Sequence, residues 1–236
     1  MSRPLFRMIV LTGSLLGWTA SAGRAQETPS QMALVQVEFI TTSLAGPDPV
    51  QQVWKYLETA TVERPSVEVL ALNGLRVGKL DTGFRKEFDA VLKQTDVVRR
   101  VPQLIQMIPG RPQEFVLGRP LADRTVFIWK DADSVIGRRF SRAQYGLAVM
   151  AQPDDNQRAQ VSVTPVLRYG EGLAEYFDLG FLAMSASMQS GQSIVLMPTG
   201  TPTGMGAILY QGVERVGRQR TFIVITLNAV GKVAGP

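Results

Sequence analysis

The sequence predicts an α+β fold, in which a small mixed α/β module precedes a mostly antiparallel β module. Amphipathic helical spacing occurs between Val50 and Leu92. After Asp96, proline and glycine recur every roughly 8 to 12 residues, and the segments between them are short and alternate in polarity. Gln160 to Tyr169 alternates most clearly, which is typical of a half-buried strand. The predicted domains are a leader at 1–25, the mixed module at 26–95 and the β-rich module at 96–236.

The mixed module combines strand and helix patterns. Branched and aromatic residues at Val35 to Ile40 predict a strand, and Leu75 to Leu80 predicts a second, shorter one. Three helices are predicted. They are indicated by the stripe Val50, Val53, Trp54 and Leu57, by Ser66 to Leu72 between Pro65 and Gly74, and by the stripe Phe84, Phe88, Val91 and Leu92.

The β-rich module contains a series of predicted strands. Pro165 interrupts the clearest one, and because proline cannot donate to a ladder, it predicts an edge or a bulge at that point. The segment Glu175 to Met188 alternates less cleanly. The predicted strands are Val98–Met107, Gln113–Leu117, Thr125–Lys130, Gln144–Ala151, Gln160–Tyr169, Ser193–Met197 and Thr221–Leu227.

The first 25 residues have the three regions of a cleavable signal peptide. Arg3 and Arg7 supply a positive start, Met8 to Trp18 is apolar, and small residues follow. Cleavage is expected after Ala25, with Ala22 as the alternative. The apolar run is shorter than the about 20 residues that span a bilayer, and no later window approaches that length. We therefore predict an extracytoplasmic protein, periplasmic or associated with the outer envelope, without a transmembrane helix in the mature chain.

Charge argues against a nucleic-acid partner. The full chain has 25 Lys and Arg against 20 Asp and Glu. Cleavage would remove Arg3, Arg7 and Arg24 from the 25 basic residues, which leaves 22 against 20 acidic residues. Binding to nucleic acid needs several phosphate contacts from one basic patch. The remaining arginine pairs are scattered, so we expect no nucleic-acid binding.

Composition also narrows the chemistry. The chain has no histidine and no cysteine. Histidine is the usual general base near neutral pH and the commonest metal ligand. Without histidine and cysteine there can be no Ser-His-Asp or Cys-His arrangement and no ordinary zinc or copper site. Carboxylate chemistry, Ser-Lys dyads and calcium bound by oxygen ligands stay open. The sequence favours a non-enzymatic protein with no catalytic, cofactor-binding or metal-binding residues.

Four groups of residues are candidates for binding or catalytic sites. Gly200 to Gly206 has the glycines of a phosphate loop but neither its Gly-Lys-Ser/Thr ending nor a following helix, so a connecting loop is favoured. Asp131, Asp133 and Ser134, and likewise Asp154, Asp155 and Asn156, could offer oxygens to calcium, but their spacing favours turns. Glu171 and Glu175 could form a hydrolytic carboxylate pair, although solvated side chains are favoured.

Residues 144–228 resemble the C-terminal domain of secretins, the ring-forming outer-membrane proteins of type II and III secretion and of type IV pili. Three motifs carry the resemblance: Val161-Ser-Val-Thr-Pro165, the Gly-Gln strand at Ser190 to Leu196, and the final strand at Phe222 to Leu227. The family's Gly-Gly-Leu turn and the stretch that builds its gate and barrel lip are missing. The resemblance therefore implies a relative that keeps part of the β scaffold without the channel features.

Two functions follow as expectations. The first is an exported, non-enzymatic envelope protein associated with a secretion or pilus system, which binds a protein partner or itself by strand pairing. The second is a soluble extracytoplasmic ligand-binding protein or carboxylate-based hydrolase, which would need a pocket with convergent charges.

Overall fold

The computed structural model describes residues 31–43, 49–63, 65, 67–95, 97–154, 156–199, 204–206 and 219–232. The predicted signal peptide lies outside the described residues. The helices are α1 (Pro49–Trp54), α2 (Val67–Leu72) and α3 (Arg85–Gln94). The strands are β1 (Gln31–Ser43), β2 (Leu57–Glu58), β3 (Leu75–Leu80), β4 (Val97–Met107), β5 (Gln113–Leu121), β6 (Arg124–Trp129), β7 (Val135–Phe140), β8 (Ala143–Pro153), β9 (Arg158–Tyr169), β10 (Glu175–Phe177), β11 (Met184–Gln189), β12 (Ser193–Pro198) and β13 (Gln219–Lys232).

The first sheet joins the two ends of the described chain. It has six antiparallel strands in the order β2-β3-β12-β13-β1-β4. The long strands β1 and β13 lie side by side, with Val37 opposite Ile225. Strands from the N-terminal third therefore share one hydrogen-bonded ladder with strands from the C-terminal third.

The second sheet is built from the middle of the chain. Its path runs β10-β9-β8-β5, and β11 pairs with β9 on the same side as β10. Strands β8 and β9 form a long hairpin in which Val149 lies opposite Val163. A separate two-stranded hairpin consists of β6 and β7.

The six-stranded sheet is covered on both faces. One face packs against the second sheet, α2 and the β6–β7 hairpin, in a core that contains Val37, Ile225, Leu147 and Ile128. The other face packs against α1 and α3, in a core that contains Phe88, with β-strand residues from the same sheet. Because β12 and the middle of β13 are covered on both sides, every residue of β12 and residues 221–227 of β13 are buried, rather than alternate ones.

The α+β prediction is wrong. Strands make up most of the described chain, and α3, with 10 residues, is the one described helix longer than 6 residues. The sequence patterns located the three helices correctly but overestimated the share of helix in the fold. Helices α1 and α2 have 6 residues each, fewer than two turns, and both pack against a sheet. The mixed N-terminal module also has no sheet of its own, since β1 and β3 pair with β13 and β12. The protein is a β-rich fold.

Most of the predicted strands are confirmed, with shifted ends. Strand β7 was missed, because its sequence contains Gly137 and two arginines and lacks a sustained apolar face. Pro165 lies opposite Leu147 of β8, and on its other side it falls in the gap between β11, which pairs as far as Val163, and β10, which pairs from Leu167. The prediction of a local edge at this proline is therefore confirmed, since no strand in the described part of the chain pairs with it on that side.

Candidate protein-interaction surface

Strand β4 is the outermost strand of the six-stranded sheet. Over its 11 residues it pairs with β1 on one side, and among the described residues no strand pairs with its other side. The backbone N–H and C=O groups of an outer strand are a template for another strand. The free edge of β4 is therefore the longest unpaired ladder in this sheet.

The two faces of β4 differ in how far their side chains are buried. Met107 is buried against the second sheet, and Ile105 packs at the margin of the same core. On the opposite face Leu104, which lies opposite Gln36 of β1, is 57% exposed. An exposed leucine in an open strand gives the edge an apolar contact point in addition to its hydrogen-bonding groups.

The second sheet also ends in an open strand on this side of the molecule. Among the described strands, β5 pairs with β8 alone, and Val116 on it is 50% exposed. A cavity of about 100 Å³ lies between the two outer strands and is lined by Phe39, Thr41, Arg99, Val101, Gln103, Val116 and Leu117. Two unpaired strand edges thus border one shallow, mostly apolar groove.

A buried carboxylate connects β4 to helix α3. Glu38 on β1 is 3% exposed and lies on the helix-facing side of the sheet. Its Oε2 accepts a hydrogen bond from Arg100 Nη2 on β4 at 2.7 Å, and Arg85 Nη2 on α3 lies 3.6 Å from the same oxygen. Gln36 donates to the other oxygen. A buried carboxylate needs such partners, since an unpaired charge inside a protein is costly.

Arg85 and Asp89 extend this cluster across the sheet. Arg85 Nε donates to Asp89 Oδ2 at 3.1 Å, which is the i,i+4 spacing of a helix face. Arg85 Nη1 also lies 3.4 Å from the hydroxyls of Ser193 and Thr226, which are 2.8 Å from each other. The cluster therefore reaches from β4 across β1 and β13 to β12 and fixes α3 over the sheet.

A second ion pair holds the outer strand of the other sheet. Arg168 on β9 donates from Nε and Nη2 to the two carboxylate oxygens of Glu114 on β5, each at 2.6 Å. Tyr176 on β10 donates its hydroxyl to Glu114 at 2.9 Å, and the Arg168 guanidinium lies 4.6 Å from the Tyr176 ring centroid. The hydrogen bonds from Arg168 lower the pKa of Glu114, and the bond from Tyr176 lowers it further.

Another arginine is held by aromatic rings at the β6–β7 hairpin. The Arg138 guanidinium lies 5.0 to 5.5 Å from the ring centroids of Phe140, Tyr169 and Phe177. Its Nη2 donates to the Tyr169 hydroxyl at 2.9 Å. These cation–π contacts attach the hairpin to the end of β9.

Asn73 joins α2 to the β6–β7 hairpin. Its buried amide donates to the Val69 carbonyl at 2.9 Å and to the Trp129 carbonyl at 2.7 Å, and its Oδ1 accepts from the Trp129 N–H at 3.0 Å.

In the predicted glycine loop, Gly206 packs on the backbone of Gly74, where an added Cβ would lie 2.2 Å from a carbonyl oxygen. This glycine is needed for close backbone approach. Residues 200–203 of the predicted loop lie outside the described residues.

The aspartate clusters are turns. Asp131 Oδ1 accepts from the Asp133 N–H at 3.0 Å in the β6–β7 hairpin. Asp154 Oδ1 accepts from the N–H groups of Asn156 and Arg158, at 2.8 and 3.0 Å, in the β8–β9 hairpin. Both arrangements satisfy local backbone donors, as the sequence predicted for turns. Asp155 lies outside the described residues.

The structure does not bring the other sequence candidates into a pocket. Glu171 lies in a short 3₁₀ turn and Glu175 begins β10, and both side chains are exposed. In the described part of the chain, no group of three or more Asp and Glu side chains is placed to hold a metal ion. Within that same part, no helix has the length and apolar character to cross a membrane.

The residues that hold the outer strands were missed by sequence reasoning. Glu38 and Arg100 are 62 residues apart, and Glu114 and Arg168 are 54 residues apart, so no local spacing connects them. One signal was available. Glu38 interrupts the apolar run Val37–Ile40, and a charge inside such a strand indicates a buried partner.

No protein-family model matches the chain, and no curated protein matches it either. Among solved structures, the InvG secretin domain β-barrel from the Salmonella SPI-1 injectisome NC-base is similar at 9% sequence identity, with a TM-score of 0.19. The similarity covers 87% of this chain and 63% of that one, so the chain spans less than two thirds of that protein's length. At this TM-score the similarity carries no argument about function.

Proposed function

We propose that this chain is an exported, non-enzymatic envelope protein of a secretion or pilus system, related to secretins but without their channel features, and that it works by strand-to-strand association. The observation that carries the proposal is the open edge of β4. The signal-peptide pattern supports the location, and the motifs in 144–228 support the kinship. The occupant of the edge is a second copy of the same chain.

The edge of β4 has a neutral stretch that is suited to pairing. Val101 to Met107 carries no charged residue, whereas Arg99 and Arg100 precede it. Charged residues on an edge discourage pairing, so the arginines restrict a partner strand to the neutral stretch. Pro102 removes one donor near the start of this stretch and restricts pairing in the same way.

A two-fold axis through Leu104 gives a self-complementary register. In an antiparallel pair centred there, Gln103 lies opposite Ile105, and Val101 lies opposite Met107. The two copies of Arg99 and Arg100 then lie beyond the paired stretch and do not face one another, so like charges are not opposed. A two-fold axis perpendicular to the strand pairs two identical strands in this antiparallel way, with the same residues contributed by each copy. The exposed Leu104 side chains meet at the centre and shield each other from water.

The absence of native cysteine provides a direct test. Because the chain has no cysteine, a Leu104→Cys variant has a single thiol per copy. Directly opposed residues in antiparallel strands have Cα atoms about 4.5–5.5 Å apart, which is within the range that a disulfide bridges. The full chain is expressed in a bacterial host, recovered from the periplasm and analysed by non-reducing electrophoresis and light scattering. We expect a disulfide-linked dimer, and recovery from the periplasm tests export.

A matched control uses another outer strand. Ser187 lies on β11, which is also at the margin of a sheet and is exposed. Ser187→Cys should stay monomeric under the same oxidising conditions. Equal dimer yields from both variants would indicate unspecific thiol chemistry and would contradict the proposal. So would a parent chain that stays strictly monomeric in light scattering at high micromolar concentration.

A further inference from the structure

A second cavity lies at the opposite edge of the six-stranded sheet from β4. Its volume is about 240 Å³. Trp54 of α1 forms one wall, and Val67, Leu70 and Ala71 of α2 form another. The strand β3 forms the floor with Leu75 and Arg76. The cavity is independent of β4 and of the groove beside it.

The short strand β2 explains why this space is open. Leu57 and Glu58 pair with Leu80 and Lys79 only, so on this side of β3 no described strand pairs with residues 75–78. Beyond Glu58 the chain leaves the sheet, and Glu63 pairs with Ser185 of the second sheet. The helices α1 and α2 lie on either side of the resulting gap, and their side chains leave it partly unfilled.

Arg76 places a positive charge at this apolar cavity. Its guanidinium carbon lies 5.3 Å from the centroid of the Trp54 ring. Among the described residues, Arg76 has no carboxylate within ion-pair distance, whereas Arg85, Arg100 and Arg168 each have one. The cation–π contact with Trp54 uses none of the N–H donors of the guanidinium in a hydrogen bond, and these donors are the groups that bind carboxylates in a bidentate manner.

We infer that this cavity, defined by Trp54, Val67, Leu70, Ala71, Leu75 and Arg76, binds a small monocarboxylate that carries a short apolar group. The carboxylate pairs with Arg76, and the apolar group lies against Leu70, Ala71 and Trp54. The volume is below the ~300–1,000 Å³ of sites for drug-sized ligands, so the occupant is small. The same chemistry occurs in a free short-chain acid and in the apolar C-terminal residue of a peptide.

Trp54 provides the signal for a binding test. The sequence has 3 tryptophans, at positions 18, 54 and 129. A Trp18→Phe/Trp129→Phe variant of the full chain therefore reports on Trp54 alone. Fluorescence is titrated with hexanoate and with N-acetyl-leucine, which represent the two sources. Their neutral counterparts, hexanamide and N-acetyl-leucinamide, serve as probes without the carboxylate. We expect a saturable change with at least one acid and none with the amides.

Two further substitutions test the contacts. Arg76→Gln should raise the dissociation constant at least about tenfold, since it removes a charge-assisted hydrogen-bonding group. Ala71→Leu should abolish binding by filling the cavity, and leucine is a good helix former, so α2 should persist. Lys93→Gln, an equal change of charge on the exposed end of α3, should leave the affinity unchanged. Circular dichroism checks that each variant is folded.

The two acids distinguish the source of the ligand. Tighter binding of N-acetyl-leucine indicates the C-terminal residue of a peptide, and tighter binding of hexanoate indicates a free acid. Either result supports the site. Equal responses to acids and amides, an Arg76→Gln variant that binds as the parent does, or no saturable response to either acid would overturn the inference. None of these outcomes depends on whether β4 pairs with a second copy.

Discussion

Strands β13 and β4 belong to one sheet but have opposite surroundings. Strand β13 has a paired strand on each side and a core on each face, and residues 221–227 are all buried. Strand β4 has one paired side, and Leu104 on it faces solvent. The comparison teaches that position in the sheet, rather than length or β propensity, separates strands that hold the fold from strands that are free to bind.

The largest effect should come from truncating the centre of the sheet. Ile225 on β13 is fully buried in the core shared by the two sheets. Ile225→Ala removes buried apolar volume and should lower the free energy of unfolding by about 2–5 kcal/mol. Leu104→Ala on β4 is the matched truncation, and at low protein concentration, where the proposed dimer dissociates, it should change the free energy of unfolding by about 0.5 kcal/mol or less. Urea denaturation followed by circular dichroism measures both.

Similar losses in these two variants would contradict the comparison. They would mean that Leu104 is covered in solution. Repeating the denaturation at low and at high protein concentration shows whether Leu104 is buried by its own chain or by a second copy. Only burial by a second copy depends on protein concentration.

The next largest effect concerns the attachment of β4 to the rest of the molecule. Glu38→Gln keeps the size of the side chain but removes the charge that Arg85 and Arg100 face. We expect a loss of about 1–3 kcal/mol in the free energy of unfolding, as for hydrogen bonds to charged groups. Glu87→Gln on the exposed side of α3 is the control and should be near neutral.

Hydrogen exchange makes this test specific to β4. In Glu38→Gln, the amides of β4 should exchange faster than those of β13, because the arginine contact to β4 is weakened while β13 keeps both neighbours. A uniform increase across the sheet would contradict a local role for this cluster.

The smallest effect should come from the ion pair on the second sheet's outer strand. Hydrogen bonds from Arg168 lower the pKa of Glu114 in the folded protein. The pair therefore stabilises the fold above the ordinary glutamate pKa of about 4.3 and loses this contribution as the pH falls through the lower folded value. Because the pair is partly exposed, Glu114→Gln should cost about 1 kcal/mol or less at neutral pH.

The pH dependence is the distinguishing observation. The difference in unfolding free energy between the parent and Glu114→Gln should shrink as the pH falls below about 4, because Glu114 becomes protonated, and neutral like glutamine, as the pH passes through its lowered folded pKa. Glu171→Gln, an exposed change nearby, should show no such convergence. A difference that is constant from pH 7 to pH 3 would mean that the charge of Glu114 contributes nothing.

Local patterns predicted much of the secondary structure and little of the candidate sites. The stripe Phe88, Val91 and Leu92 correctly identified the buried side of α3, and the alternation in Gln160–Tyr169 correctly identified the buried face of β9. The Asp131 and Asp154 turns followed from local hydrogen bonding. The groove, the Arg76 cavity and the Glu38 cluster did not follow. Each is formed by elements that are distant along the chain, and single-sequence patterns contain no information about such pairings.

By itself, the sequence determined most of the segments that extend, the turns at Asp131 and Asp154, and the apolar faces of α3 and β9, because these depend on neighbours within a few residues. The sequence also showed that the chain has no histidine and no cysteine, which excludes reactions and metal sites that depend on these side chains. Only the tertiary structure decided that β1 pairs with β13, that β4 is left at the edge, and that Arg76 reaches no carboxylate in the described chain. Edges and unpaired charges are properties of the whole assembly of strands, since a strand becomes outermost only when the others have been placed.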